Sequence, residues 1–124
     1  MAKRIFIAFA IEDERFRDFV VGQAKNKNTP FDFVDMSVKK AWETDWHSRC
    51  RDRIKTCDGM IALVSKNTYS ASGEIFEIQC AIDEKLPLMP MYINDDRPYL
   101  PSVLQSKRIS VWSWDNLESF VDSL

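Results

Sequence analysis

The sequence predicts a doubly wound α/β domain, in which a parallel sheet carries helices on both faces. Short apolar runs rich in β-branched and aromatic residues alternate with segments whose apolar residues recur at helical spacing. The connections between successive strands are long enough for crossovers, which favours parallel pairing. We expect a five-stranded sheet in the order 2-1-3-4-5, the flavodoxin-like three-layer arrangement. A chain of 124 residues has the length of one domain, and residues 1–124 contain no internal repeat or linker-like boundary.

The predicted strands are mostly continuous apolar runs, as expected where helices cover both faces of a sheet. The first reads Ile5-Phe6-Ile7-Ala8-Phe9. Pro87 and Pro90 interrupt the fourth, and proline favours a position away from the centre of a sheet. The five strands are predicted at 5–9, 31–34, 60–64, 86–93 and 109–112.

Four amphipathic helices are predicted between and after these strands. The first spans about 13–25, and its apolar face comprises Phe16, Phe19, Val20 and Ala24. A helical stripe that begins at Trp46 defines the second, and residues 35–45 before it are predicted to form a loop. Ser72 is the predicted N-cap of the third helix, and Asp115 is that of the last.

Composition excludes several classes of function. A net charge of −2 and a pI of about 5.4 argue against a nucleic-acid partner. The uncharged apolar runs 5–11 and 60–64 are both far shorter than the ~20 residues of a membrane span, and we expect no signal peptide near the start. We therefore expect a cytoplasmic protein with no membrane partner. Three cysteines do not suggest a disulfide framework, and one histidine with no Cys-x-x-Cys motif predicts no metal site.

In a doubly wound sheet, ligands bind beyond the carboxyl ends of the strands, where the strand order reverses. This rule points to the loops at 8–13 and 65–77, flanked by 35–45. No glycine precedes Gly22, so the first loop cannot be a glycine-rich phosphate cradle, and its acids would repel a phosphate. A response-regulator receiver would need an Asp at the end of the third strand and a Lys at the end of the fifth, and the sequence has neither.

Residues 65–78, which read SKNTYSASGEIFEI, resemble the segment of TIR domains in which Ser-x-x-Tyr-x-x-Ser precedes a helix that carries a Glu. The chain is most similar to the prokaryotic TIR-like family of Thoeris anti-phage defence. That family tends to begin Lys-x-Ile/Val-Phe-Ile-Ser-Phe, which matches 3–9, and to carry Asp-x-Ser after strand 2, which matches 35–37. Thr68 and Phe76-Glu77-Ile78 fit its third motif. Two positions depart from the pattern, with Gly73 in place of a Trp and Ala8 in place of a Ser.

The resemblance implies cleavage of the nicotinamide–ribose bond of NAD, with NAD as substrate and no further cofactor. Glu77 matches the family's catalytic Glu, and Glu74, one turn earlier, is the competing acid. The chemistry suits a single carboxylate, because the transition state is positive at the anomeric carbon and nicotinamide leaves as a neutral molecule. Hydrolysis, cyclisation and conjugation of the ADP-ribose product all remain open.

The other candidate residues are predicted to bind the substrate, and each has a structural alternative. Phe9 and Ala10 end the first strand at the cleft, although Phe9 could equally be part of the core. Asp35 and Ser37 could hold a ribose or pyrophosphate, or could cap a loop. The remaining candidates are Trp42 and Trp46, which could stack on a base or cover the hydrophobic edge, and Asn94 after strand 4.

An enzyme of this kind would act through a diffusible nucleotide signal on a separate effector protein, and it could form a homo-oligomer. No effector domain fits within 124 residues, so the effector would be another chain. The alternative is a non-catalytic TIR-like adaptor that works through homotypic contacts. The departures at Gly73 and Ala8 count towards that alternative.

Overall fold

A parallel sheet forms the centre of the fold. The computed structural model describes residues 3–27, 31–36 and 44–124. Within these residues the sheet has five strands in the order β2-β1-β3-β4-β5, and every neighbouring pair is parallel. The strands are β1 (Lys3–Ala8), β2 (Phe31–Val34), β3 (Gly59–Val64), β4 (Leu88–Tyr92) and β5 (Ser110–Val111). The predicted fold class and strand order are thus confirmed, although β4 and β5 are shorter than expected.

Helices cover both faces of this sheet. They are α1 (Glu14–Asn26), α2 (Thr44–Lys55), α3 (Ser72–Asp83) and α4 (Trp114–Asp122). Because successive side chains of a strand point to opposite faces, alternate residues of β1 and β3 belong to two separate cores. Phe6 and Met60 pack with residues of α2 and α3, whereas Ile7 and Ile61 pack with residues of α1 and α4. Among the described helices, none has the length and hydropathy that a membrane crossing requires.

Two predicted helix starts were wrong by one or two residues. The N-cap of α4 is Ser113 rather than Asp115, and its Oγ accepts a hydrogen bond of 3.0 Å from the backbone N–H of Asn116. Ser113 has the extended backbone that an N-cap requires, which leaves Asp115 in the first turn. Similarly, Ser72 lies inside α3, and Ala71 precedes it as the N-cap.

The buried side of α1 is narrower than its apolar periodicity predicted. Val20 and Ala24 are buried, but Phe19 is 49 % exposed. Phe19 lies on the flank of the helix, where its ring contacts Phe16 at a centroid distance of 5.7 Å. The predicted inward position of Phe19 was therefore wrong.

Two glycines should respond oppositely to replacement by alanine. At Gly59, an added Cβ would lie 2.9 Å from Cδ1 of Leu124 and 3.1 Å from Cζ of Phe120. The end of the Leu124 side chain and the Phe120 ring must both shift, so we expect Gly59→Ala to lower the free energy of unfolding by about 1 kcal/mol. At Gly22, within α1, no heavy atom lies within 4 Å, and Gly22→Ala should raise stability by about 0.5–1 kcal/mol through helix propensity. Urea denaturation of both variants tests these two predictions, and equal denaturation midpoints for the two variants would contradict them.

Candidate functional site

The strand order reverses between β1 and β3, which lie side by side at the centre of the sheet. The chain leaves β1 towards the β2 side and leaves β3 towards the β4 side, and in sheets of this kind the ligand crevice is expected at the carboxyl ends of two such strands. Phe9 and Ala10 directly follow β1 at this edge, and both are buried. The loop after β3 leads from the same edge into α3.

A buried carboxylate joins the two loops that border this crevice. Asp13 accepts a hydrogen bond from Oγ of Ser65 at 2.5 Å and another from Nδ2 of Asn67 at 3.0 Å. Oγ of Ser65 in turn accepts from the backbone N–H of Asn67 at 3.0 Å. These bonds occupy both carboxylate oxygens of Asp13 and fix the loop after β1 against the loop after β3.

Thr68 stabilises the turn that leads into α3. Its Oγ1 accepts a hydrogen bond from the backbone N–H of Ser65 at 3.0 Å and lies 3.4 Å from the carbonyl oxygen of Leu63, to which it donates. Thr68 is fully buried, and it begins a short 3-10 turn that ends at Ser70. The start of α3 is thereby held at the end of β3.

Both candidate catalytic acids lie on α3. Glu74 is in the first turn and Glu77 in the second, and both are fully buried. A carboxylate in such surroundings interacts with a nearby positive charge more strongly than it would in water, because little solvent screens it. Geometry alone therefore keeps both acids as candidates.

Arg17 connects Phe9 with Asp35. Its guanidinium carbon lies 4.8 Å from the centroid of the Phe9 ring, and its Nη1 donates to Oδ2 of Asp35 at 2.5 Å. Burial alone would lower the pKa of Arg17, but the hydrogen bonds and charges of Asp35 and Asp18 raise it above its ordinary value. Nη1 of Arg53 also donates to the carbonyl oxygen of Asp35, at 2.6 Å. The Asp35 carboxylate thus lies close to Phe9 and is already paired with a cation.

The remaining predicted binding residues do not gather at this point. Trp46 is buried in the core, with its ring centroid 5.6 Å from that of Phe76, which agrees with its structural alternative rather than with an exposed stacking surface. Asn94 is exposed, and its Oδ1 accepts from the backbone N–H of Asp96 at 3.0 Å. Ser37 and Trp42 lie outside the described residues.

Cys50, Cys57 and Cys80 are buried, and no disulfide joins them. Burial raises the pKa of Cys57 and Cys80, and the negative charges of Asp83 and Glu77 act in the same direction on Cys80, against Arg51. Both thiols are therefore neutral at pH 7 and poor nucleophiles.

A family model described as "Thoeris protein ThsB, TIR-like domain" matches residues 6–98, more than half of the chain. The chain belongs to this TIR-like family. The resemblance stated from the motifs is thus confirmed at the level of the family. The matched segment of this TIR-like domain includes Phe9, Asp13, Asp35 and Glu77, whereas β5 and α4 follow it.

Solved structures share the fold of this TIR-like domain. The TIR domain of the Toll-related receptor TRR-2 from Hydra magnipapillata superposes with a TM-score of 0.65 at 12 % identity, covering 96 % of this chain and 91 % of that one. A prokaryotic SEFIR domain gives 0.60 at 12 % identity, with coverages of 98 % and 89 %. The TIR domains of the activated Roq1 resistosome give 0.53 at 18 % identity, with coverages of 77 % and 60 %. No curated protein matches the sequence significantly.

Sequence reasoning missed Arg17 and Asp13 as parts of this edge. The Arg17 side chain is only 13 % exposed and contacts both Phe9 and Asp35. Asp13 is hydrogen-bonded to both Ser65 and Asn67. The available signal was an acid soon after strand 1 combined with Ser65 and Asn67 directly after strand 3, two segments that meet at the crevice.

Proposed function

We propose that this TIR-like domain cleaves the nicotinamide–ribose bond of NAD and makes an ADP-ribose-derived signal in anti-phage defence. The observation that carries the proposal is the buried carboxylate of Glu77, at the family's catalytic position, in the helix that follows the crevice loop. NAD is the substrate, and no further cofactor is required. The signal acts on a separate effector protein.

The proposed reaction needs one negative charge beside the ribose. As the bond breaks, its electron pair leaves with nicotinamide, which departs as a neutral molecule, and positive charge develops at the anomeric carbon. The Glu77 carboxylate stabilises that charge, and the exclusion of water strengthens the interaction. A nucleophile then bonds to the anomeric carbon and loses a proton. Water gives ADP-ribose, whereas a group of the substrate itself or of a second molecule gives a cyclic or conjugated product.

The burial of Glu77 places a condition on this reaction. Because its side chain has no exposed surface in the single chain, the ribose can contact it only after surrounding groups move. We propose that association between copies of the domain produces this movement. Turnover per molecule should then increase with protein concentration.

A non-catalytic adaptor is the second candidate function. Gly73 is buried one turn before Glu77, at a position where the family usually has Trp, so this chain lacks an aromatic side chain at that point. Ala8 replaces the usual Ser at the end of β1. A TIR-like domain that has lost substrate contacts could still associate with other TIR-like domains.

One assay separates the two functions. Purified protein is incubated with NAD at low and high concentration, with and without lysate of phage-infected cells. Chromatography measures nicotinamide, and mass spectrometry identifies the other product. Nicotinamide release that depends on Glu77 supports the enzyme, and background release in every arm favours the adaptor.

A further inference from the structure

Two exposed tyrosines form a pair at the carboxyl edge of the sheet. Tyr69 is 53 % exposed and Tyr99 is 78 % exposed, the highest value among the large apolar side chains that the structure describes. Their ring centroids are 5.5 Å apart, and the rings meet edge to face at 88°. The pair thus presents aromatic surface to solvent, in contrast to the buried ring of Trp46.

The pair lies at the same edge of the sheet as the start of α3, the helix that carries Glu77. Tyr69 belongs to the 3-10 turn between β3 and α3, and Tyr99 lies in the segment after β4. Because β3 and β4 are parallel neighbours, both segments leave the same edge of the sheet. A cavity of about 300 Å³ lies beside Tyr99 and is lined by Tyr99, Leu100 and Gln105.

Both tyrosines sit on backbone that is held in place. Tyr69 directly follows Thr68, whose Oγ1 is hydrogen-bonded to the loop after β3. Pro98 precedes Tyr99, and Pro101 follows two residues later, so ring closure restricts φ on both sides. Nε2 of Gln105 also donates to the carbonyl oxygen of Leu100 at 3.2 Å. A ligand that stacks on the pair would therefore meet a preorganised surface.

We propose that Tyr69 and Tyr99 form a platform for a nucleobase, specifically the adenine of NAD and of the ADP-ribose product. The assignment of adenine rests on the proposed function. A planar base can stack on tyrosine without specific hydrogen bonds to its edges. The open cavity beside Tyr99 leaves room for the base. Glu77 acts at the nicotinamide ribose, at the other end of the dinucleotide.

The charges of the segment that carries Tyr99 favour the base over the phosphates. Asp95 and Asp96 are exposed in the segment that precedes Tyr99. The single nearby cation, among the residues 93–100 that the structure describes, is Arg97, which lies 4.4 Å from the Tyr92 ring centroid and donates to backbone carbonyls of its own loop. The negative charges of Asp95 and Asp96 would repel a diphosphate, whereas they do not repel an uncharged base.

The test measures binding of adenosine, which carries the base but neither the phosphates nor the scissile bond. Isothermal titration compares the wild type with Tyr69→Ala and Tyr99→Ala, and with the matched controls Tyr69→Phe and Tyr99→Phe. Each alanine variant should weaken binding about 5- to 150-fold, which corresponds to the roughly 1–3 kcal/mol of base–aromatic stacking. Each phenylalanine variant should bind as the wild type does, because stacking does not require the hydroxyl. Thermal unfolding checks that the four variants fold.

The outcomes separate the platform from the proposed function. No adenosine binding by the wild type, or unchanged binding by both alanine variants, overturns the platform, and a surface for a protein partner would then be the better explanation. If NAD is cleaved, KM for NAD should rise in the alanine variants with kcat little changed. If both alanine variants bind adenosine more weakly than the wild type but no nicotinamide is released from NAD, the platform is supported and the proposed enzyme activity is refuted. If nicotinamide is released and KM for NAD is unchanged in both alanine variants, the enzyme activity is supported and the adenine platform is refuted.

Discussion

Replacing Glu77 by glutamine is expected to lower the rate of nicotinamide release from NAD by about 10²–10³-fold. Glutamine has nearly the same shape as glutamate but carries no charge, so it cannot stabilise positive charge at the anomeric carbon. The buried position of Glu77 increases the effect, since water cannot replace the lost charge. Initial rates measured by chromatography at high protein concentration give the ratio.

Glu74→Gln is the matched control for this experiment. Glu74 lies one turn earlier on the same helix and is equally buried, so the two substitutions remove the same charge from comparable surroundings. We expect Glu74→Gln to retain more than a tenth of wild-type activity. A larger loss in Glu74→Gln than in Glu77→Gln would assign catalysis to Glu74, and full activity in both variants would refute a role for this helix in the chemistry.

Replacing Trp46 by alanine is expected to lower the free energy of unfolding by about 3–5 kcal/mol. Trp46 is among the largest fully buried side chains and packs against Phe76 of α3, so its removal leaves a cavity between α2 and α3. Trp46→Phe should cost much less and should leave KM for NAD unchanged. Chemical denaturation measures the stabilities, and steady-state kinetics of the Phe variant measures KM.

Phe19→Ala provides the comparison for Trp46→Ala. Phe19 is also a large aromatic residue on a helix, but it is half exposed, so its loss should cost about 1 kcal/mol or less. If Trp46→Ala were as stable as Phe19→Ala and instead raised KM for NAD, Trp46 would belong to the substrate-binding surface. That outcome would support the sequence-based hypothesis that Trp46 stacks on a base.

The central strands could be predicted because their signal is local and strong. The apolar runs at Ile5 and Met60 are continuous and rich in residues that favour strands, and the alternation of strands and helices predicts parallel pairing. The order 2-1-3-4-5 is one of the two common orders of such sheets. Helix ends were harder, because Ser113 and Asp115 are both good capping residues and only the backbone angles decide between them. Phe19 fits the apolar period, but periodicity does not separate the centre of a buried face from its flank.

The candidate site depends on contacts between residues that are far apart in the sequence, and local sequence patterns do not predict such contacts. Arg17 and Asp35 are 18 positions apart, and their ion pair forms because β2 returns beside β1. Nothing in either segment alone marks Arg17 as different from its basic neighbours. The family motif identified Glu77, but its complete burial follows from how α3 packs on the sheet.

The link between Asp13 and Ser65 has a consequence for protein synthesis. The two residues are 52 positions apart, so the carboxylate finds its partners only after the third strand has been made and has docked beside the first. Glu77 and the helix that carries it emerge later still. If this protein consumes NAD, a ribosome-bound chain is therefore harmless until α3 has been made and has docked, and the cell meets the activity only once the crevice and its acid are both complete.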